Sequence, residues 1–268
     1  MTNSQYKVRA SSWGALFDCA FKWQGEHLLG MRLPSSPRAL LGTAIHAGTA
    51  VFDQGRVDGS NISAYDAAQA VVDKIRDPDE DVNWSVDDLT PKEAERIGLT
   101  LHTKYCNEWS PRFEFAAVEM ATEPFPIDCG NGVTIILTGT LDRSRVKRTS
   151  GHGIQDLKSG GQAVQKGTAK TAGHYPQVGT YELLYEWTTG NTITEPAEII
   201  GLKTKGTPEI ATGQIVGAKQ KMVGTAEAPG LITFAARMFE TGDFYPNPRS
   251  MLCSPKYCAR YNQCPYHD

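Results

Sequence analysis

Apolar residues recur at helical spacing through about the first 110 positions, and beyond them the pattern shifts to strand-like runs. Ser11 or Ser12 can cap a helix in which Trp13, Leu16, Phe17, Ala20 and Trp23 lie roughly on one face, with Cys19 inside it. The loop Pro34-Ser35-Ser36-Pro37 leads to a second helix, about 38–52, carrying Leu41, Gly42, Ile45 and His46. A third helix, 63–76, ends at the acidic loop Asp77-Pro78-Asp79-Glu80-Asp81. Thr90-Pro91-Lys92-Glu93 is a capping box with proline at the first helical position, and it opens a helix to about Trp109.

The next apolar runs, 113–127, 133–147 and 152–158, read as three strands. Asn131-Gly132 is a hairpin turn signal between the first two, and Ser150-Gly151 serves the next turn. A glycine-rich loop follows Lys158, then a helix over 174–187, a strand over 197–205 and a last helix over 231–240. The tail from Phe244 is rich in Pro, Tyr and Cys and reads as irregular and stapled. This order predicts a mixed α/β fold, a mixed sheet flanked by helices, with a helical N-terminal part (1–110), a core (111–241) and a stapled tail (244–268) in one unit, 1–268. No repeat or linker divides it.

Composition narrows the picture a little. Of the 268 residues, 40% are hydrophobic, ordinary for a globular protein with a sizeable core. No apolar stretch approaches the roughly 20 residues that span a membrane. The opening Met1-Thr2-Asn3-Ser4-Gln5-Tyr6 lacks a basic-then-apolar leader, so a cytoplasmic protein is expected. The net charge of −3 argues against passive, charge-driven nucleic-acid binding, although basic groups cluster locally. Arg143, Arg145, Lys147 and Arg148 form one cluster, and Lys166 and Lys170 another; each can equally be a solvated hairpin tip or loop. Of six cysteines, Cys253, Cys258 and Cys264 gather near the C-terminus; in such a chain a cluster points to metal or iron–sulfur ligation before disulfides.

Candidate chemistry centres on Gly139-Thr140-Leu141-Asp142 and, fourteen residues after that aspartate, Asp156-Leu157-Lys158. Side chains alternate along a strand, so Asp156 and Lys158 share a face, and paired strands can set Asp142 beside Asp156. Two carboxylates offer hard oxygens to Mg²⁺ or Mn²⁺, and a lysine beside them can orient water or stabilise negative charge. An aspartate near a strand end is by itself usually a turn residue; the combination raises these two.

The set resembles the PD-(D/E)xK nuclease superfamily, and within it the RecB-like nucleases, including CRISPR-associated and phage exonucleases. Five strings in order carry the resemblance: Gly42-x-x-x-His46, Glu119 in Val118-Glu119, Gly139-Thr140-Leu141-Asp142, Asp156-Leu157-Lys158, and Gln177-x-x-x-Tyr181. It implies a restriction-endonuclease-like core. It also implies His46, Asp142, Asp156 and the Leu157 carbonyl as ligands of Mg²⁺ or Mn²⁺, Lys158 assisting the attacking water, and Gln177 and Tyr181 bracing the site and touching DNA. His46 alone reads as an ordinary helix histidine; within the set, a neutral imidazole adds a nitrogen ligand. Gly42 lets backbone or substrate approach closely. Glu119 reads equally as an exposed strand residue.

The same resemblance names Cys19 as the fourth thiolate beside Cys253, Cys258 and Cys264, together holding a 4Fe–4S cluster that ties the first helix to the tail. Zinc, with His267 as a fourth ligand, and free buried thiols are the alternatives. Cys106 and Cys129 read as ordinary small residues. Trp13, Phe17, Trp23, Tyr245, Tyr257 and Tyr261 offer either a stacking platform for single-stranded DNA or packing around the cluster. The expectation is a metal-dependent DNA exonuclease acting on single-stranded or duplex ends in recombination, repair or phage replication, with a helicase or recombinase partner left open. Its rivals are an endonuclease of the same superfamily and a non-catalytic DNA-binding scaffold.

Overall fold

The computed structural model describes residues 4–147 and 151–267. Arg148 and Ser150, from the expected basic cluster and turn, lie outside the described residues, as do Met1, Thr2 and Asn3. The chain opens with a strand that its polar pattern hid, Ser4–Arg9 (β1). Helices Trp13–Asp18 (α1) and Ala20–His27 (α2) follow. The expected single helix breaks between them, because Cys19 is extended (φ −145°, ψ 94°). Cys19 therefore sits at a corner rather than inside a helix.

Pro37–Val57 (α3) is longer than expected, and Ser36 caps it by accepting from the Ala39 amide. Ala64–Arg76 (α4) and Pro91–Lys104 (α5) come next, the latter with the Thr90/Glu93 capping box formed in both directions. A π-helical turn, Tyr105–Trp109, extends α5. Helices α3, α4 and α5 pack together.

The three expected strands become five. The first divides into Phe115–Ala121 (β2) and Phe125–Asp128 (β3), with Pro124 between them withholding an amide proton. The second divides at Gly139 into Val133–Thr138 (β4) and Thr140–Lys147 (β5). The third is Gly151–Gly160 (β6). Asn131 (φ 51°) and Gly132 (φ 77°) turn β3 into β4 as expected, since both take the left-handed backbone such turns require. The glycine-rich loop folds into a small ribbon, Val164–Gln165 (β7) and Thr168–Ala169 (β8). Tyr175–Thr189 (α6), Ala197–Lys203 (β9), Glu209–Ile215 (β10), Ala218–Val223 (α7) and Leu231–Thr241 (α8) complete the elements used below.

Among the described residues the strands form a five-stranded sheet, β10-β9-β6-β5-β2, and a three-stranded sheet, β1-β4-β3. β9 lies parallel to β6, and β10, β5 and β2 continue antiparallel. β1 pairs in parallel with β4. The large sheet is covered on both faces, which is why its strands read as apolar runs rather than as clean alternation. Ile154 and Ile199 join the core under α6 and α8, with Trp13, Trp23 and Phe239. Leu157 and Ile200 join the core under α3, α4 and α5, with Leu41, Ile45 and Leu101. The result is the expected mixed α/β architecture.

Candidate active site

The site is built where two paired strands part. β5 and β6 keep their antiparallel register from Lys147↔Gly151 to Arg143↔Gln155. Past that pair the Leu157 amide donates to Asp142 Oδ2 (2.8 Å), so a carboxylate replaces the carbonyl that a ladder would supply. His46, from the middle of α3, places Nδ1 3.5 Å from the same Asp142 oxygen. Glu119 arrives from β2, the neighbour of β5, with φ at 45°. Inside a strand that conformation is rare for a residue with a side chain and costs of order 1–3 kcal/mol. Ligand atoms of His46, Glu119 and Asp142 all lie within 4.8 Å of one another.

Asp156, on β6, is fully buried, and its Oδ2 lies 2.5 Å from Lys158 Nζ. Its Oδ1 accepts from Gln177 Nε2 (3.3 Å), which also donates to the Tyr181 hydroxyl (3.2 Å). Gln177 and Tyr181 are one turn apart on α6, so a single helix face braces the aspartate. Gly139 makes this possible. A Cβ there would fall 2.9 Å from the Tyr181 ring, closer than carbon atoms approach. Gly42 likewise admits the strand: its missing Cβ would lie 2.6 Å from Ser159 Oγ, so the close neighbour is β6.

The charges are crowded. Burial first, and then the Asp142 carboxylate, push the Asp156 carboxyl up against the opposing pull of Lys158. Partial burial and Asp142 push Glu119 up to about 7. Burial pushes His46 down, keeping the imidazole neutral with a lone pair free, although Asp142 and a backbone hydrogen bond at Leu157 oppose. Burial, Asp142 and Asp156 push Tyr181 up, so its phenol stays protonated. Neutral imidazole and clustered carboxylates are the donor set that hard or borderline divalent ions take, and the excess negative charge is what such an ion relieves.

A buried network stands behind Glu119. Arg143 has no exposed surface; its Nε donates to Asp53 Oδ2 (2.9 Å), Nη2 to Thr49 Oγ1 (3.1 Å) and Nη1 to Glu119 Oε1 (3.4 Å). Asp53 also accepts from the Tyr105 hydroxyl (2.8 Å) and from the Ser110 hydroxyl. Among the described residues of the basic cluster after Asp142, Arg143 thus faces the interior rather than DNA. Arg145 is also buried and donates to the Pro196 carbonyl, while Lys147 pairs with Glu195. Asp53 and Thr49 went unread, although Gly42, His46, Thr49 and Asp53 are spaced by four, three and four, one face of a helix. Lys166 and Lys170 remain exposed on and beside the β7–β8 ribbon.

The tail brings its cysteines home. Cys19, Cys253, Cys258 and Cys264 line one pocket, and all four thiols are free of disulfides. The Asn247 amide donates to Cys19 Sγ (3.4 Å). Asp18, next to Cys19, accepts from Asn247 and from the Ser250 hydroxyl. The Arg260 guanidinium lies over the Phe21 ring and donates to the Phe21 carbonyl (3.0 Å) and Gln24 (2.8 Å). His267 stacks on Tyr261 and is not among the residues lining the pocket. Cys106 is buried beside His102, and the Cys129 thiol donates to the Ile127 carbonyl. Trp13 and Trp23 are fully buried, so they belong to the core and not to a stacking platform.

The sequence profile of the PD-(D/E)XK nuclease superfamily matches residues 10–266. Among curated proteins, none matches the sequence. The crystal structure of a protein from Eubacterium rectale, described as a candidate exonuclease, superposes with a TM-score of 0.55 at 13% identity, covering 96% of this chain and 87% of its own. At that identity the likeness speaks for the fold. A second crystal structure, of SSO0001, gives a TM-score of 0.45 at 13% identity over 99% of this chain and 88% of that one. No helix among the described residues is long and apolar enough to cross a membrane.

Proposed function

This chain belongs to the PD-(D/E)XK nuclease superfamily, and we propose that within it the chain is a metal-dependent DNA exonuclease of the RecB-like kind. The observation that carries the reading is the parting of β5 and β6, where Asp142 holds the Leu157 amide while His46 and Glu119 close on it and Asp156 and Lys158 stand alongside. His46, Glu119, Asp142, Asp156 and the Leu157 carbonyl are the groups that would hold Mg²⁺ or Mn²⁺. Such an ion, when bound, polarises a phosphate and makes its water acidic enough to attack. Lys158, held by Asp156, aims ammonium protons at the attacking water or a phosphate oxygen. Gln177 fixes Asp156 in place, and Tyr181, kept protonated, donates rather than ionises. The ordered strings from Gly42 to Tyr181 support the exonuclease assignment and single-domain organisation over 1–268.

Asp156→Ala and Lys158→Ala each remove more than about 100-fold of DNA hydrolysis with Mn²⁺. Parent-like digestion by either variant defeats the reading, and binding without cleavage by the parent protein moves the chain to the non-catalytic class. We assign a 4Fe–4S cluster to Cys19, Cys253, Cys258 and Cys264, on the grounds that the four cysteines line one pocket. Protein purified without oxygen should be brown and carry about four irons; stoichiometric zinc without iron overturns that assignment.

A further inference from the structure

A second groove lies outside the residues of the catalytic site. It has a volume of about 490 Å³, and Arg9, Ser11, His27, Arg32, Lys256 and Tyr257 line it. Three elements meet there: the end of β1, the C-terminus of α2 with the loop after it, and the cysteine-bearing tail. Arg9, Arg32, Lys256 and Tyr257 are all exposed. Arg9, Arg32 and Lys256 have no ion-pair partner among the described residues, whereas Lys22, Arg38, Lys74, Arg76 and Lys104 each do. Two acids line the same groove. Glu26 is already neutralised by Lys22 at 2.6 Å, which leaves Glu80. Lys256 Nζ sits 5.1 Å from the centre of the Tyr257 ring.

His27 reports the local field. Burial lowers its basicity most, Arg32 next, and Lys22 and Arg9 add to the effect against Glu26. Unpaired cations that line one groove repel one another, and an anion seated there relieves the repulsion. The protein as a whole carries a charge of −3, so a polyanion gains nothing from the bulk surface and needs a local site. A neighbour of the groove's Arg9 packs near Gly139. Ala10, next to Arg9, would meet a Cβ on Gly139 at 3.4 Å, and the Tyr181 ring bounds the same spot. Ser36, which caps α3, lines the groove, and the same helix carries His46 farther along.

We propose that this groove binds the sugar–phosphate backbone of single-stranded DNA beside the catalytic site, with Arg9, Arg32 and Lys256 on phosphates and Tyr257 stacked on an unpaired base. An aromatic face serves a base only when that base is out of a duplex, and sequence-tolerant stacking with phosphate contacts is how such strands are held. The inference rests on the nuclease reading for its substrate, yet its test is independent of cleavage. The fluorescence anisotropy of labelled oligothymidylate is measured against the protein in EDTA over a salt series. Three phosphate contacts on a single strand set a salt slope of about 0.7 each, so Arg9→Glu/Arg32→Glu/Lys256→Glu should flatten the slope by about 2 and weaken binding by roughly 30-fold or more.

Tyr257→Ala should weaken oligothymidylate by roughly 5- to 100-fold and leave an abasic strand of equal length unaffected. If the triple variant does not fold, the single Gln variants at the three positions serve, each flattening the slope by about 0.7. An unchanged slope and affinity in the triple variant overturn the proposal. So does a loss on blunt duplex with none on the single strand. A parent protein that binds through the groove but cleaves no DNA with Mg²⁺ or Mn²⁺ sinks the nuclease reading and leaves the groove standing.

Discussion

Asp53→Asn is the most demanding test of how the site is held. Asp53 and Arg143 have no exposed surface, so water cannot take over from either partner. The wild-type carboxylate accepts three hydrogen bonds, from Arg143 Nε, Tyr105 and Ser110. An asparagine keeps the shape but turns one acceptor into a donor among donors, and it removes the charge that balances a buried guanidinium. Breaking a buried pair from one side costs about 3–5 kcal/mol. Glu119, 3.4 Å from Nη1, remains as a weaker partner, which places the loss toward the lower figure. At about 2–4 °C per kcal/mol for a domain of this size, the melting midpoint should fall by roughly 6–15 °C. Calorimetry on Asp53→Asn, Arg143→Met and the double variant reads it. The double variant should recover part of the loss, because removing both charges leaves none stranded. A loss under about 1 kcal/mol for Asp53→Asn, or strictly additive losses in the double variant, would refute the buried pair as the support of Glu119.

Glu182 on α6 is buried, and burial above all pushes its carboxyl up to about 7, although the Lys219 amide donates to it at 2.8 Å. The fold holds a proton that the unfolded chain releases above about 4.5, so stability falls as pH rises from about 4.5 to about 7 and stays lower above that. Glu182→Gln, whose amide oxygen can still accept from Lys219, should gain about 1–3 kcal/mol in urea unfolding at pH 8 and almost nothing at pH 4; an equal gain at both contradicts the assignment. Gly139→Ala pushes the Tyr181 ring aside and disturbs the Gln177 bridge to Asp156, and DNA hydrolysis should drop by about tenfold or more while the melting midpoint moves only a few degrees; wild-type turnover would show that the ring does not matter. Arg260→Ala should speed limited proteolysis of the tail, because Arg260 anchors the tail through Phe21 and Gln24; unaltered cleavage kinetics reject that.

Much of this was legible because local chemistry and global fold agree. The Thr90 capping box, the Asn131-Gly132 turn and the strand carrying Asp156 and Lys158 each state their geometry within a few residues. What escaped depends on distant neighbours. β1 is polar at most positions, Ser4, Gln5, Lys7 and Arg9, and becomes a strand only because β4 offers it an edge more than 120 residues later. The run over 133–147 looks like one strand, and nothing local says that it changes sheets at Gly139, where the distant Tyr181 ring packs close. Arg143 reads as a surface cation until Asp53, 90 residues away, is seen to bury it. Cys19 fits a helix by propensity, and contacts to the tail draw it out into a corner.

That corner has a consequence for the order in which the protein is made. Asp18 and Ser250, which dock the tail beside Cys19, lie 232 residues apart. At about 5–20 residues per second, the first helix waits roughly 10–50 s on the ribosome before its partner has been synthesised. Cys19 spends that interval without Cys253, Cys258 or Cys264, so the pocket that the four line cannot form as the first helices emerge. A late stretch of the chain closes an early one, and a ribosome that stalls short of Cys264 leaves the corner at Cys19 open.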